Sequence, residues 1–271
     1  MTLISLPRRT GRRRAHRKRK GAGRWSKGVR WAWRSLNVAH PVIRIGVLVA
    51  IALVIFAAAD VIYQVARKPT EMFFPVAGAL DKMPAETWHE YGPLFRDYAT
   101  DNISPELLAA LAQTEAAGNP LARTYWRWRL SWNPLAIYAP ASSAVGMYQM
   151  TDGAFDEARQ SCIRDHVVVE EGCWLTALYM RILPGHAVEL AAIYLDCKVA
   201  AILAERPRKR ATTQQRQDLA ALVHLCGAGP ARAFARRNFH LLPGQRCGDH
   251  DPAVYLASVN AMQQQFHRLA Q

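Results

Sequence analysis

One carboxylate stands where acid–base chemistry could be done. It is Glu115, in the stretch LLAALAQTEAAGNP at residues 107–120. The stretch reads as a helix: Ser104 can cap it, Pro105 suits its first position, Glu106 sits near its positive end, and Gly118 can end it. Counting in fours from Leu107 through Leu111 reaches Glu115, which puts the carboxylate on the apolar face. A carboxylate half-buried by leucines has a raised pKa, as a general acid near neutral pH requires. A glutamate at a frayed helix end, reaching water or an arginine, is the plainer alternative, and the stretch alone leaves both open.

The elements that must position Glu115 are helical almost throughout. The pattern predicts a short helix at 84–97, then helices near 105–117, 152–161, 173–182, 186–205, 213–225, 230–237 and 252–269. Gly, Pro and Asn markers such as GNP, APASS, LPGH and GAGP stand between them. No strict alternation reaches strand length, no repeat stands out, and ERPRKRATT at 205–213 reads as a solvated connector. Residues 101–271 form a domain long enough for its own core, and 67–100 read as a linker.

The chain's net charge of +14 suggests nucleic-acid binding until the charges are located. Residues 1–44 hold eleven Arg, three Lys and no acid, so the remaining residues are neutral overall. Too charged and glycine-rich to bury a core, residues 1–44 read as a disordered tail. Next comes IGVLVAIALVIFAAA at 45–59, and extension to residue 66 gives the length of a membrane-spanning helix. Trp25, Trp31 and Trp33 could rest at the headgroups, and the positive charge before the span places the N-terminus in the cytoplasm. A signal peptide cut after AAA at 57–59 is the competing reading; the long basic region and continued apolar run favour an uncleaved anchor. No nucleic-acid partner is expected, since topology accounts for the charge.

All five cysteines follow the span. Cys162 with Cys173 and Cys226 with Cys247 each flank a short segment, as local disulfides would in an oxidising compartment, with Cys197 left as a buried thiol. The Cys/His spacings make no recognisable zinc pattern, so neither a metal nor another cofactor is expected.

Three motifs in order carry a resemblance. Glu115-Ala116 with Asn119-Pro120 is the first, Ser143-Ala144-Val145-Gly146-Met147-Tyr148-Gln149 the second, and Leu225-Cys226-Gly227-Ala228-Gly229-Pro230 the third. Together they resemble the lytic transglycosylases of the soluble-lytic-transglycosylase (SLT) type, relatives of goose-type lysozyme, over about residues 100–270. The resemblance implies a lysozyme-like fold for the all-α domain that follows the single transmembrane helix. It also implies cleavage of the glycosidic bond between N-acetylmuramic acid and N-acetylglucosamine. In that family one glutamate protonates the glycosidic oxygen and then takes the proton of the muramyl 6-hydroxyl, giving a 1,6-anhydro product without water. This departs from the usual pair of carboxylates, and no Asp or Glu occurs here between Glu115 and Asp152.

By the same resemblance Glu115 is the catalytic acid/base, and Gly146, Met147, Tyr148 and Gln149 are expected to meet the glycan. Gly146 would let a sugar approach the backbone. Tyr138 and Trp132, in an insertion with Trp126 and Trp128, could stack on sugar faces or belong to a packed aromatic surface. The sequence departs from the family at Ala116, where serine is usual. It also departs at Cys226-Gly227, where the family has Tyr-Asn; His224 or Tyr138 could fill the place of the missing tyrosine. The expected protein is an inner-membrane anchor with a periplasmic enzyme acting on peptidoglycan strands, serving a conjugation or secretion machine. A hydrolytic muramidase and an inactive glycan-binding module are the alternatives.

Overall fold

The computed structural model describes Trp31, Val38 and residues 40–73, 77–205 and 210–271. The rest of the basic tail, with Trp25 and Trp33, and the centre of the 205–213 connector lie outside the described residues. Helix α1 (Pro41–Arg67) starts earlier than the expected span and ends one residue later. It is long and apolar enough to cross a membrane, and its side chains from Pro41 to Ala59 are all exposed. Its last turns belong to the compact unit that runs from Ala59 to Gln271.

Two helices follow. Glu86 accepts from the Met83 N–H at 2.8 Å to start α2 (Pro84–Asp97), and Ser104 accepts from Leu107 N at 3.2 Å to start α3 (Pro105–Ala116). Leu107 through Ala112 are fully buried on every side of α3, so this is the helix around which the domain is built. Its alanines let neighbours come close, and each buried leucine contributes about 1.5–3 kcal/mol.

Helix α4 (Asp152–Ala158) precedes the long α5 (Pro184–Ala204), α6 (Thr213–Cys226), α7 (Ala228–Arg236) and α8 (Pro252–Leu269). Helix α3 packs on α2 and α8, while α6 packs on α5, α7 and α8. Gln217 of α6, 5% exposed, accepts from Ser104 Oγ at 3.2 Å and donates to Asn102 O at 2.9 Å. A buried amide with partners at both ends fixes the start of α3 against α6.

The domain is predominantly helical, as expected, but three sequence expectations give way. Residues 84–97, read as part of a linker, are core: Tyr91 and Phe95 are buried, and the Trp88 ring lies 5.6 Å from that of Phe266. Residues 173–182 are not an α-helix; only a 3₁₀ turn forms, at Trp174–Leu178. Two antiparallel hairpins appear where no strand was expected. In the first, β1 (Trp126–Trp128) pairs with β2 (Tyr138–Pro140), Arg127 opposite Ala139. In the second, β3 (Cys162–Arg164) pairs with β4 (Val167–Val169) through Asp165 and His166, both at positive φ as a type I′ turn requires. Strands of three residues are too short to print an alternation.

Both expected disulfides form, Cys162–Cys173 and Cys226–Cys247, and Cys197 is a half-buried free thiol. The bonds suit an oxidising compartment. The second ties the end of α6 to the loop that leads into α8.

Candidate active site

Helix α3 ends where its last turn meets α2. Ala117 and Gly118 both take positive φ, and a Cβ on Gly118 would lie 2.3 Å from Thr87 Oγ1. Thr87 donates to Gln113 at 2.7 Å and the Lys82 N–H donates to Ala117 O at 2.8 Å. Asn119, 2% exposed, donates to Asp81 at 2.7 Å and accepts from Leu121 N at 2.9 Å. The Asn-Pro motif is therefore a clamp on the chain leaving α3, and this clamp fixes the turn that carries Glu115.

Glu115 keeps 20% of its side chain exposed, and two donors meet one of its oxygens. The Tyr255 hydroxyl, in the first turn of α8, donates to Oε1 at 2.5 Å. His224 Nε2, in the last turn of α6, stands 3.4 Å from the same oxygen, an ion-pair distance rather than a tight hydrogen bond. Among the described residues no side chain donates to Oε2, which leaves this oxygen to meet a ligand. Three helix ends thus converge on one carboxylate, and the Cys226–Cys247 bond holds two of them in register. Cys226 lies two residues after His224, and Cys247 shortly before His250 and Tyr255.

The electrostatics reverse the sequence expectation. Burial does push the Glu115 pKa up, as argued from the leucines. The charge and hydrogen bond of His224, the Tyr255 hydroxyl and the charge of His250 outweigh it, so the pKa falls below the ordinary value. Burial, followed by the Glu115 charge and hydrogen bond, pushes the Tyr255 phenol far up, so it remains a donor throughout the accessible pH range.

The second motif meets a different fate from the first. Met147 is fully buried and Tyr148 1% exposed, with the Tyr148 hydroxyl donating to Leu108 O at 3.1 Å. Met147 is enclosed in the core, while Tyr148 pins the loop onto α3 and leaves only an edge to line the groove beside Gln149. Gly146 sits at φ +80°, and a Cβ there would lie 2.2 Å from the Arg181 carbonyl oxygen. The crowding that demands glycine is this protein's own backbone, not a sugar. Gln149, also at positive φ, donates to Gly146 O at 3.0 Å. It lines a groove of about 200 Å³ with His224, Tyr194 and Gly227.

Trp132 and Tyr138 are not brought to this groove. Tyr138 packs between Trp126 and Trp128, with ring centroids 5.2 and 4.7 Å away, and lines a separate cavity with Val61 and Val65. Of the two residues offered to replace the missing tyrosine, His224 reaches Glu115 and Tyr138 does not. Asp152, the next acid after Glu115, is bound to Arg181 at 2.6 Å.

Sequence reasoning missed Tyr255 and His250. Tyr255 lies 140 residues from Glu115, and the one local signal near it is the Asp251-Pro252 start of α8. That start says where the helix begins but not what its first turn faces.

The arrangement can hold a carboxylate on one oxygen while offering the other to a ligand, with a histidine close enough to exchange a proton. Set against known proteins, the chain matches no protein-family model, and no curated protein matches it.

Proposed function

We propose that this chain is a membrane-anchored peptidoglycan lytic transglycosylase facing the periplasm, with Glu115 as its acid and base. The observation that carries the reading is the asymmetric carboxylate: Oε1 is held by Tyr255 and His224, and Oε2 is left for a ligand. Asp152 is occupied by Arg181, which favours one carboxyl working with a nucleophile from the substrate over a carboxylate pair. The motif resemblance supplies the substrate class, and the apolar α1, the basic residues before it and the disulfides support the location.

In this reading the resting Glu115 is a carboxylate. A glycan seated over it strips water from the carboxylate, and a charge deprived of water is costly, so Glu115 takes up a proton as the substrate binds. Glu115 then donates that proton to the glycosidic oxygen as the bond to C1 breaks. The muramyl 6-hydroxyl attacks C1 and returns its proton to Glu115, so no net proton or water is consumed. Tyr255 keeps the carboxylate from rotating through both steps.

Glu115→Gln keeps the shape and removes the exchangeable proton. The full chain in detergent with purified peptidoglycan should release soluble muropeptides, and the variant should release fewer by at least about a hundredfold. Equal release by both would end the proposal.

A further inference from the structure

The β1–β2 hairpin carries apolar surface that the proposed chemistry does not use. Trp128, Leu130 and Trp132 are 75%, 106% and 105% exposed. Their neighbour Trp126 is fixed differently, its indole N–H donating to buried Glu71 at 2.8 Å. Clustered aromatic and aliphatic exposure of this size marks a binding surface rather than ordinary solvent-facing surface.

The hairpin is fastened to the end of α1. Gln64 Nε2 donates to Leu135 O at 2.6 Å, and Asn133 Nδ2 donates to the Tyr63 hydroxyl at 3.3 Å. Lys68 Nζ donates to Ala144 O at 2.9 Å, just beyond β2. A helix rises about 1.5 Å per residue, so about 30 Å of hydrocarbon takes about twenty residues. The unbroken apolar run begins at Ile45 and ends at Ala59, and about twenty residues counted from Pro41, where α1 begins, end at Asp60, one turn before Gln64. The turn bonded to Tyr63 and Gln64 is therefore held at the edge of the hydrocarbon. Tryptophan belongs at that depth, with its ring in the interface and its N–H in the headgroups. Arg127 and Arg129 alternate with the tryptophans, and Arg67 follows the span, so cations stand where lipid phosphates would be.

We infer that the tip of this hairpin is an interfacial anchor, seated among the anionic headgroups of the bilayer that α1 crosses. The inference rests on α1 spanning the membrane and is independent of the activity proposed for Glu115. The aromatic insertion then serves to hold the domain to the membrane surface rather than to bind sugar.

The full chain in nanodiscs of phosphatidylethanolamine and phosphatidylglycerol, with a trace of phospholipid bearing a diazirine near the headgroup, tests this. After irradiation and digestion, lipid adducts mapped by mass spectrometry should fall on α1 and on residues 128–132. The double variant Trp128→Ser/Trp132→Ser changes only exposed side chains. It should lose hairpin adducts several-fold while α1 adducts persist. Adducts on α1 alone, or hairpin adducts unchanged in the variant, would overturn the anchor. Adducts on neither would remove the span and the anchor with it. Hairpin tryptophans shielded from oxidation by soluble glycan fragments, with no lipid adducts there, would make the hairpin a sugar surface instead. Muropeptide release is read separately, so its failure would not be confused with any of these.

Discussion

Tyr255→Phe removes one oxygen and leaves the ring that packs at the start of α8. The hydroxyl it deletes donates to a carboxylate at 2.5 Å. Hydrogen bonds to charged groups contribute about 1.5–3 kcal/mol. With 20% of the Glu115 side chain in solvent, the loss at neutral pH should be about 1–2 kcal/mol. The pH dependence carries the test. Burial raises the Glu115 pKa, but His224, Tyr255 and His250 together bring it below the ordinary value. A carboxylate with a depressed folded pKa contributes stability above its unfolded pKa, and that contribution disappears as pH falls through the folded one. The difference between parent and variant should therefore be full at neutral pH and shrink in acid to that of a neutral hydrogen bond, about 1 kcal/mol or less. For a domain of this size, 1 kcal/mol moves the Tm by about 2–4 °C. Thermal unfolding of the full chain in detergent, followed by near-ultraviolet circular dichroism, should show the variant melting roughly 2–8 °C lower at neutral pH. In acid, below the folded pKa of Glu115, the difference should shrink to the remainder left by a neutral hydrogen bond. An equal loss at both pH values would refute the reasoning, because ring packing and not the carboxylate would then account for the effect.

His224→Gln removes the charge and hydrogen bond that hold the Glu115 pKa down, so the limb of the pH–rate profile on which Glu115 loses its proton should move to higher pH; an unmoved profile would exclude the coupling of the two groups. Gly146→Ala adds a Cβ 2.2 Å from the Arg181 carbonyl at a positive φ. It should cost about 2–4 kcal/mol, read as a fall in denaturant midpoint with unchanged slope. Replacing Cys226 and Cys247 together by serine opens a loop closed across 21 residues. That should cost about 3 kcal/mol in thermal unfolding and lower muropeptide release, since the loop carries α8 and Tyr255 to Glu115.

What was legible in the sequence was local. Ser104-Pro105 and Asp251-Pro252 announce helix starts, and α3, α6 and α8 run close to where those signals and the apolar spacing put them. The cysteine spacing led to both disulfides. The turns Asp165-His166 and Asn133–Ile137 close strands too short for any periodicity to register. At the site, the motif singled out the loop that borders the groove. A sequence match cannot tell that the Tyr148 hydroxyl is spent on Leu108 O. The sign of the Glu115 shift was misjudged for a related reason. The leucines on its own helix are visible in the spacing, whereas His224 and Tyr255 arrive from helices far along the chain. Burial could be read from one segment, but its opposition could not.

The central claim is that Glu115 cleaves glycan strands with a nucleophile supplied by the substrate. The most direct test is to digest purified peptidoglycan with the full chain in water enriched in oxygen-18 and weigh the released muropeptides. The account predicts products one water lighter than the hydrolysis products and free of the heavy isotope, all of them lost in Glu115→Gln. Products that carry oxygen-18 at the muramyl end would contradict it and make the protein a hydrolase.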